Sequence, residues 1–224
     1  MKEKEKKNKK SSVISMRYFL YDFVRITAAP GLLFFRPKKL YLTPKAKEDL
    51  KFKGGALLIS NHVTLVDPMY LMLTIWKRRH HFVATKELFE GKFRTFLFKN
   101  AFLCILIDRD NFSMKTFKEI VGHLKMGEVV SMFPEGHVNV DEKGVNEFKS
   151  GMIVMALKSG CPIIPLFIKR RKHWYSRLVI GVGEAINSKD FAKGEIATIE
   201  EIDNAAKYLH EQELKLEELC NNYK

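Results

Sequence analysis

An α/β fold with a mostly parallel or mixed central sheet flanked by helices is predicted from three observations. Beyond residue 50 short β-rich runs alternate with helical stretches, the β-rich runs are almost continuously apolar, and no internal repeat or linker divides them. Alternation implies helices crossing over both faces of a sheet, and uninterrupted apolar strands suit a sheet buried on both sides. A chain of 224 residues buries roughly 70% of its unfolded surface, so one core suffices without staples. Cys104, Cys161 and Cys220 are odd in number and lack CxxC spacing, which argues against a disulfide framework or a thiolate zinc site.

The chain opens with residues 1–12, a basic flexible leader holding six lysines in its first ten positions. From residue 13 a helical period follows. Met16, Phe19, Leu20, Phe23 and Ile26 fall on one side, and Arg17, Asp22 and Arg25 on the other, until Pro30 and Gly31 end it. Leu32, Leu33, Phe34 and Phe35 then stand beside Arg36 and Pro37, a pairing that suits a lipid interface with anionic headgroups. Residues 13–37 are therefore expected to be amphipathic membrane-docking helices, and residues 38–224 the α/β domain. No run of about 20 uncharged apolar residues exists to span a bilayer. A small-residue cleavage site is also lacking, which argues against export.

Within the domain the expected strands are Ala56–Ser60, Phe102–Ile107, Val129–Phe133, Ile163–Ile168 and Leu178–Val182. Helical patterns cover Met69–Trp76, Asn111–Lys125 and Lys149–Lys158. From Ile196 to Cys220, Ile199, Ile202, Ala206, Leu209, Leu216 and Leu219 make one apolar face opposite a row of acids, which predicts an acidic covering helix.

The formal net charge of +13 attracts polyanions, which leaves nucleic acid, anionic lipid or an acidic carrier protein as partners. Because residues 195–219 are acidic, the excess sits earlier, in the leader, Lys77–Lys99 and Lys169–Lys172. Phe82, Phe93, Phe96 and Phe98 interleave with the second of these as in a nucleic-acid binder, yet they fit a core equally well.

Chemistry concentrates after Ser60, where a strand gives way to Asn61-His62-Val63-Thr64-Leu65-Val66-Asp67-Pro68. Asp67 before Pro68 reads as a helix N-cap and start. On one helix His62 and Asp67 would lie about 140° apart, but an intervening turn folds the imidazole onto the carboxylate. Such a pair fixes the tautomer and stabilises the imidazolium of a general base. The bland alternatives are a plain cap and a structural histidine. Metal ligation is not expected, because His80, His81, His123, His137, His173 and His210 show no ligand spacing with this pair.

Here the sequence resembles the phospholipid and glycerol acyltransferases that carry a His-x4-Asp signature. The resemblance continues in order through Ile107-Asp108-Arg109, Phe133-Pro134-Glu135-Gly136 and Pro162-Ile163-Ile164-Pro165, with Phe148-Lys149-Ser150-Gly151 and Gly183-Glu184-Ala185-Ile186 beside the last. It spans roughly residues 40–190 and is most like the 1-acylglycerol-3-phosphate acyltransferases.

The resemblance implies His62 and Asp67 as catalytic residues, Arg109, Glu135 and Gly136 as contacts for the acceptor phosphate or headgroup, and Asn61, Pro134, Pro162 and Pro165 as supports. Physically, a guanidinium fork suits a phosphate monoester, an Asp108–Arg109 ion pair being the rival. Pro134 stiffens and Gly136 opens the turn that carries Glu135, and the two later prolines read as a rigid start to an edge or end strand. Two departures stand out. His137-Val138-Asn139 replaces the usual Thr and Arg after Glu135-Gly136, so an acceptor-side cation is missing; Lys143, Lys149 or His137 are the candidates to replace it. Cys104 occupies a neighbourhood where glycine is common.

The reaction implied is direct acyl transfer from acyl-CoA or acyl-acyl carrier protein to a lysophospholipid hydroxyl, yielding phosphatidic acid. It needs no cofactor, metal or nucleic acid and would run at the cytoplasmic face of a membrane, with the protein peripheral or monotopic. The rival mechanism uses Ser60 or Thr64 as a covalent nucleophile. Other acceptors, such as a different lysolipid or glycerol compound, and a basic lipid- or nucleic-acid-binding protein are the remaining alternatives. Backbone amides at the turn after Ser60 are the expected oxyanion donors.

Overall fold

The structure is a computed structural model describing residues 16–27, 29–30, 37–108, 113–139, 145, 148–173, 175–194 and 196–223. Its strands are β1 Lys38–Tyr41, β2 Ala56–Ser60, β3 His80–Thr85, β4 Ile105–Ile107, β5 Val129–Met132, β6 Ile163–Ile168 and β7 Val179–Val182. They form one sheet in the order β1-β7-β6-β2-β5-β3-β4. Every neighbouring pair is parallel except β6 with β7, so the sheet is mixed, as expected.

The helices are α1 (residues 16–27), α2 Pro44–Asp49, α3 Asp67–Thr74, α4 Lys92–Phe96, α5 Met114–Lys125, α6 Gly151–Ser159 and α7 Ile199–Asn221. Alternate residues of a strand face opposite sides, and two cores follow from this. Leu58, Ile164, Leu166 and Ile180 pack with Tyr21 of α1 and Leu71 of α3. Leu57, Ile59, Val130 and Ile163 pack with Ile120 of α5, Ile153 of α6 and Leu209 of α7. Sequence β2, with all five residues buried, is central to both.

Several expected bounds shift. β1 and β3 have no counterpart among the expected strands, since lysines fill the first half of β1 and two histidines open β3. β4 starts three residues later than expected, because Leu97–Ala101 is a π-helical turn and Leu103 has φ 51°. The covering helix α7 opens on a capping box between Thr198 and Glu201, but Ile199, assigned to its apolar face, is 80% exposed. Pro165 also corrects an expectation. It lies in β6, an interior strand rather than an edge. The β6–β7 register slips by one residue between Leu166↔Val182 and Ile163↔Ile186, and Pro165 sits in that slip, where its missing N–H removes no regular ladder bond.

α1 is inverted relative to an ordinary surface helix. Met16, Phe19, Phe23 and Ile26 are exposed, while its polar side grips the domain: Arg17 donates to the Lys99 carbonyl, Arg25 to that of Trp76, and Asp22 pairs with Arg79 at 2.6 Å. Pro30 is described as helical, but Gly31 to Arg36, with the apolar group Leu32 to Phe35, and the leader lie outside the described residues. Among the described residues no helix is long and apolar enough to cross a membrane.

Two consequences for stability are testable. A Cβ on Gly55 would stand 2.0 Å from the Leu124 carbonyl oxygen and 2.9 Å from Cys161 Sγ. That carbonyl is backbone at the end of α5 and cannot rotate away. Gly55→Ala is expected to cost about 3 kcal/mol or more, lowering the melting temperature by on the order of 10 °C; an unchanged melting curve would contradict this packing.

His80 is fully buried, and burial pushes its imidazole down to about 3; burial also lowers neighbouring His81. In the unfolded chain both titrate near 6.5. The unfolded state therefore takes up protons that the folded state refuses, so stability is complete above about 6.5 and declines as pH falls towards 3. The urea midpoint is expected to drop between pH 7 and pH 5, above most carboxylate titrations, and His80→Gln to flatten that drop. A midpoint constant over this range would contradict the assignment.

Candidate active site

The parallel strands β2 and β5 end side by side, since Ile59 pairs with Met132. The segments that follow, Asn61–Val66 and Phe133–Gly136, therefore meet at the carboxyl edge of the sheet, where open α/β sheets bind ligands. The His62 ring stacks on Phe133 with centroids 4.0 Å apart. Its Nδ1 lies 2.8 Å from Asp67 Oδ2.

Asp67 is completely buried, and its carboxylate organises the loop. Oδ2 also accepts from the amides of Val63 (2.7 Å) and Thr64 (2.8 Å), and Oδ1 accepts from the Thr64 hydroxyl at 2.6 Å. An ionised carboxylate only accepts. Nδ1 therefore carries the proton, and Nε2 is left with its lone pair, the tautomer a general base needs. Asp67 is not the N-cap expected; Val66 is, and Asp67 is the first residue of α3. Its side chain turns back towards His62 instead of capping forward.

Supports fix His62 from the backbone as well. Its N–H donates to Glu135 Oε1 at 3.1 Å, and its carbonyl accepts from the Asn139 amide at 2.7 Å. Glu135 is only 2% exposed, and through this bond its carboxylate anchors the loop. Gly136 closes a turn onto the Phe133 carbonyl (3.0 Å) with φ 77°. Lys149 lies against it: a Cβ at Gly136 would meet Lys149 Nζ at 3.3 Å. Asn61 straps β2 to β6, its amide donating to the Ile168 carbonyl (3.0 Å) and accepting the Ile168 N–H (2.7 Å). Pro162 leads into β6 and accepts from Leu57 N at 3.0 Å.

Not every expected residue joins this cluster. Arg109 and Lys143 lie outside the described residues; Asp108, which precedes Arg109, pairs with Lys86 at 3.2 Å. His137 is exposed. Of the amides at the turn after Ser60, where the oxyanion donors are expected, those of His62, Val63 and Thr64 are already committed to Glu135 and Asp67. Ser60 is buried and donates to Asn61 Oδ1 at 3.3 Å.

Two features were not anticipated. Glu213, inside the buried stripe of α7, is fully buried, and among the described residues neither of its oxygens has a hydrogen-bond partner; burial, then the Glu135 and Glu217 charges, push its carboxyl well above the usual range. At the opposite edge of the sheet His81 and His123, thought to lack ligand spacing, converge with Glu128, all three ligand atoms lying within 4.8 Å. Glu128 takes hydrogen bonds from His81 (3.2 Å), His123 (2.5 Å) and the Tyr18 hydroxyl (2.5 Å). Burial alone would raise this carboxyl, but those bonds outweigh it and hold it well below the carboxylate range. The cluster thus ties α1 to the sheet.

Residues 42–169 match the protein family described as Acyltransferase. The chain is 28% identical over 184 residues to the 1-acyl-sn-glycerol-3-phosphate acyltransferase of Bacillus subtilis (strain 168), covering 77% of this chain and 88% of that protein. It is 32% identical over 127 residues to a probable 1-acyl-sn-glycerol-3-phosphate acyltransferase of Mycoplasma pneumoniae, covering 52% of this chain and 45% of that one. The crystal structure of the 1-acyl-sn-glycerophosphate acyltransferase from Thermotoga maritima superposes with a TM-score of 0.66 at 18% identity, over 93% of this chain and 83% of that chain. At that identity the likeness concerns the fold.

Proposed function

The chain belongs to the acyltransferase family, and from that premise we propose that it transfers a fatty acyl group from an acyl thioester to the free hydroxyl of 1-acylglycerol 3-phosphate, giving phosphatidic acid. The observation that carries the reading is the 2.8 Å pairing of His62 Nδ1 with the buried Asp67 at the mouth of the sheet, in a chain whose relatives bear that activity in their names.

In this mechanism His62 Nε2 removes the proton from the acceptor hydroxyl, whose oxygen attacks the thioester carbonyl. The tetrahedral intermediate collapses with release of the thiol, which regains the proton from the imidazolium. Asp67 stabilises that imidazolium. General-base assistance is worth about 10² to 10⁴ in rate, and holding both substrates in register contributes more. A covalent route through Ser60 or Thr64 is disfavoured: Ser60 is buried, and the Thr64 hydroxyl is committed to Asp67.

Lipid substrates require docking at a bilayer surface. The outward apolar stripe of α1 supports a peripheral or monotopic attachment through residues 13–37, on the cytoplasmic face, with the leader 1–12 adding attraction to anionic lipid and residues 38–224 carrying the chemistry. Acyl-CoA and acyl-acyl carrier protein both remain donors in this proposal, and no cofactor is invoked. The test incubates purified protein with each labelled donor and vesicles carrying lysophosphatidic acid, glycerol 3-phosphate or other lysolipids. Labelled phosphatidic acid is the expected product. Its absence with both donors, or labelling of another acceptor alone, would overturn the reading.

A further inference from the structure

We infer that the loop after β6, through Arg170, Arg171, Lys172 and Arg177, forms a phosphate-binding subsite for a substrate of this reaction, a reading that rests on the proposed acyl transfer. These residues line a cleft of about 730 Å³, together with Asn61 and Asn139. Among the described residues five cationic side chains border it against one carboxylate, Glu217. In a partly enclosed cleft such a field focuses on an anion, and guanidinium groups match the oxygens of a phosphate ester in pairs.

Topology places this cleft beside the catalytic pair. β6 is the immediate neighbour of β2, whereas β4, which leads to Arg109, lies three strands away, about 14 Å at the usual strand spacing. The hydrogen-bonded link is short: Asn61, next to His62, bonds both backbone groups of Ile168 just before the basic loop begins. Arg170 donates to the Asn139 carbonyl at 2.5 Å, and the Asn139 amide holds the His62 carbonyl at 2.7 Å. On the other side Arg171 covers the Tyr70 ring at 5.3 Å and donates to its hydroxyl, one turn along α3 from Asp67. The cationic loop is thus built into the frame of the dyad. The anion it takes is the phosphate monoester of the acceptor or a phosphate of the donor's nucleotide or pantetheine arm; the chemistry is shared, and kinetics separates them.

The test compares wild type with Arg171→Gln and, on the exposed part of the loop, Lys172→Gln/Arg177→Gln, in neutral detergent, with circular dichroism to establish folding. Loss of a charge-assisted contact is expected to raise one KM roughly tenfold or more, with kcat within a few-fold. A raised KM for lysophosphatidic acid, with monoacylglycerol acylation unaffected, identifies the acceptor phosphate; a raised KM for acyl-CoA alone identifies the donor. Either supports the subsite. Both KM values unchanged in folded, active variants would overturn it. If wild type transfers no acyl group, the activity reading falls, and glycerol 3-phosphate alone decides the cleft: a thermal shift seen in wild type and lost in Lys172→Gln/Arg177→Gln supports it, and no shift in wild type overturns it.

Discussion

Asp67→Asn is expected to lower turnover by about 10² to 10⁴ while leaving KM for either substrate within a few-fold. The amide keeps the volume, and its oxygen can still accept from Val63 and Thr64, so the loop persists. Lost is the negative charge that stabilises a protonated His62. A second cost appears with Asp67→Ala, which strips partners from the His62 ring, two backbone amides and the Thr64 hydroxyl. Each buried group left unpaired costs about 1–3 kcal/mol, so that variant is expected to lose stability as well as rate. Turnover of Asp67→Asn within three-fold of wild type would mean that the carboxylate only shapes the loop.

The fold was legible where local pattern and burial agree. β2, β5 and β6 are continuously apolar because both faces of the sheet are covered, and they appear where their residues indicate. β1 and β3 were not legible. Lys39 of β1 reaches the Thr74 carbonyl, and His80 and His81 of β3 are buried by pairing with Ser131 and Glu128; their polar character is answered by partners distant in sequence. α1 was legible as amphipathic. What holds its charged side was not, because only the positions of Lys99, Trp76 and Arg79 reveal those partners.

The candidate site divides in the same way. His62 and Asp67 are five residues apart, so a loop suffices to join them and the spacing is readable. Glu135 was readable as a turn residue. Its bond to the His62 amide depends on β2 and β5 being neighbours, which no local pattern encodes. The same holds for the basic loop after β6, legible as charge but not as a wall beside the dyad, and for His81 with His123, 42 positions apart along the chain yet stacked at 4.0 Å.

The second large effect concerns the base itself. His62→Ala removes the only imidazole paired with Asp67 among the described residues and leaves its carboxylate, still bonded to Val63 and Thr64, with no proton acceptor for the incoming hydroxyl. Because the backbone of residue 62 bonds Glu135 and Asn139 through its own amide and carbonyl, the loop does not require the ring, and substrate binding is expected to survive. The decisive measurement is the single-turnover rate of acyl transfer to lysophosphatidic acid by vesicle-bound His62→Ala, with donor and acceptor both saturating. A rate at least a hundred-fold below wild type, with vesicle binding intact, is the outcome this account requires; a rate close to wild type would show that the proton leaves by another path.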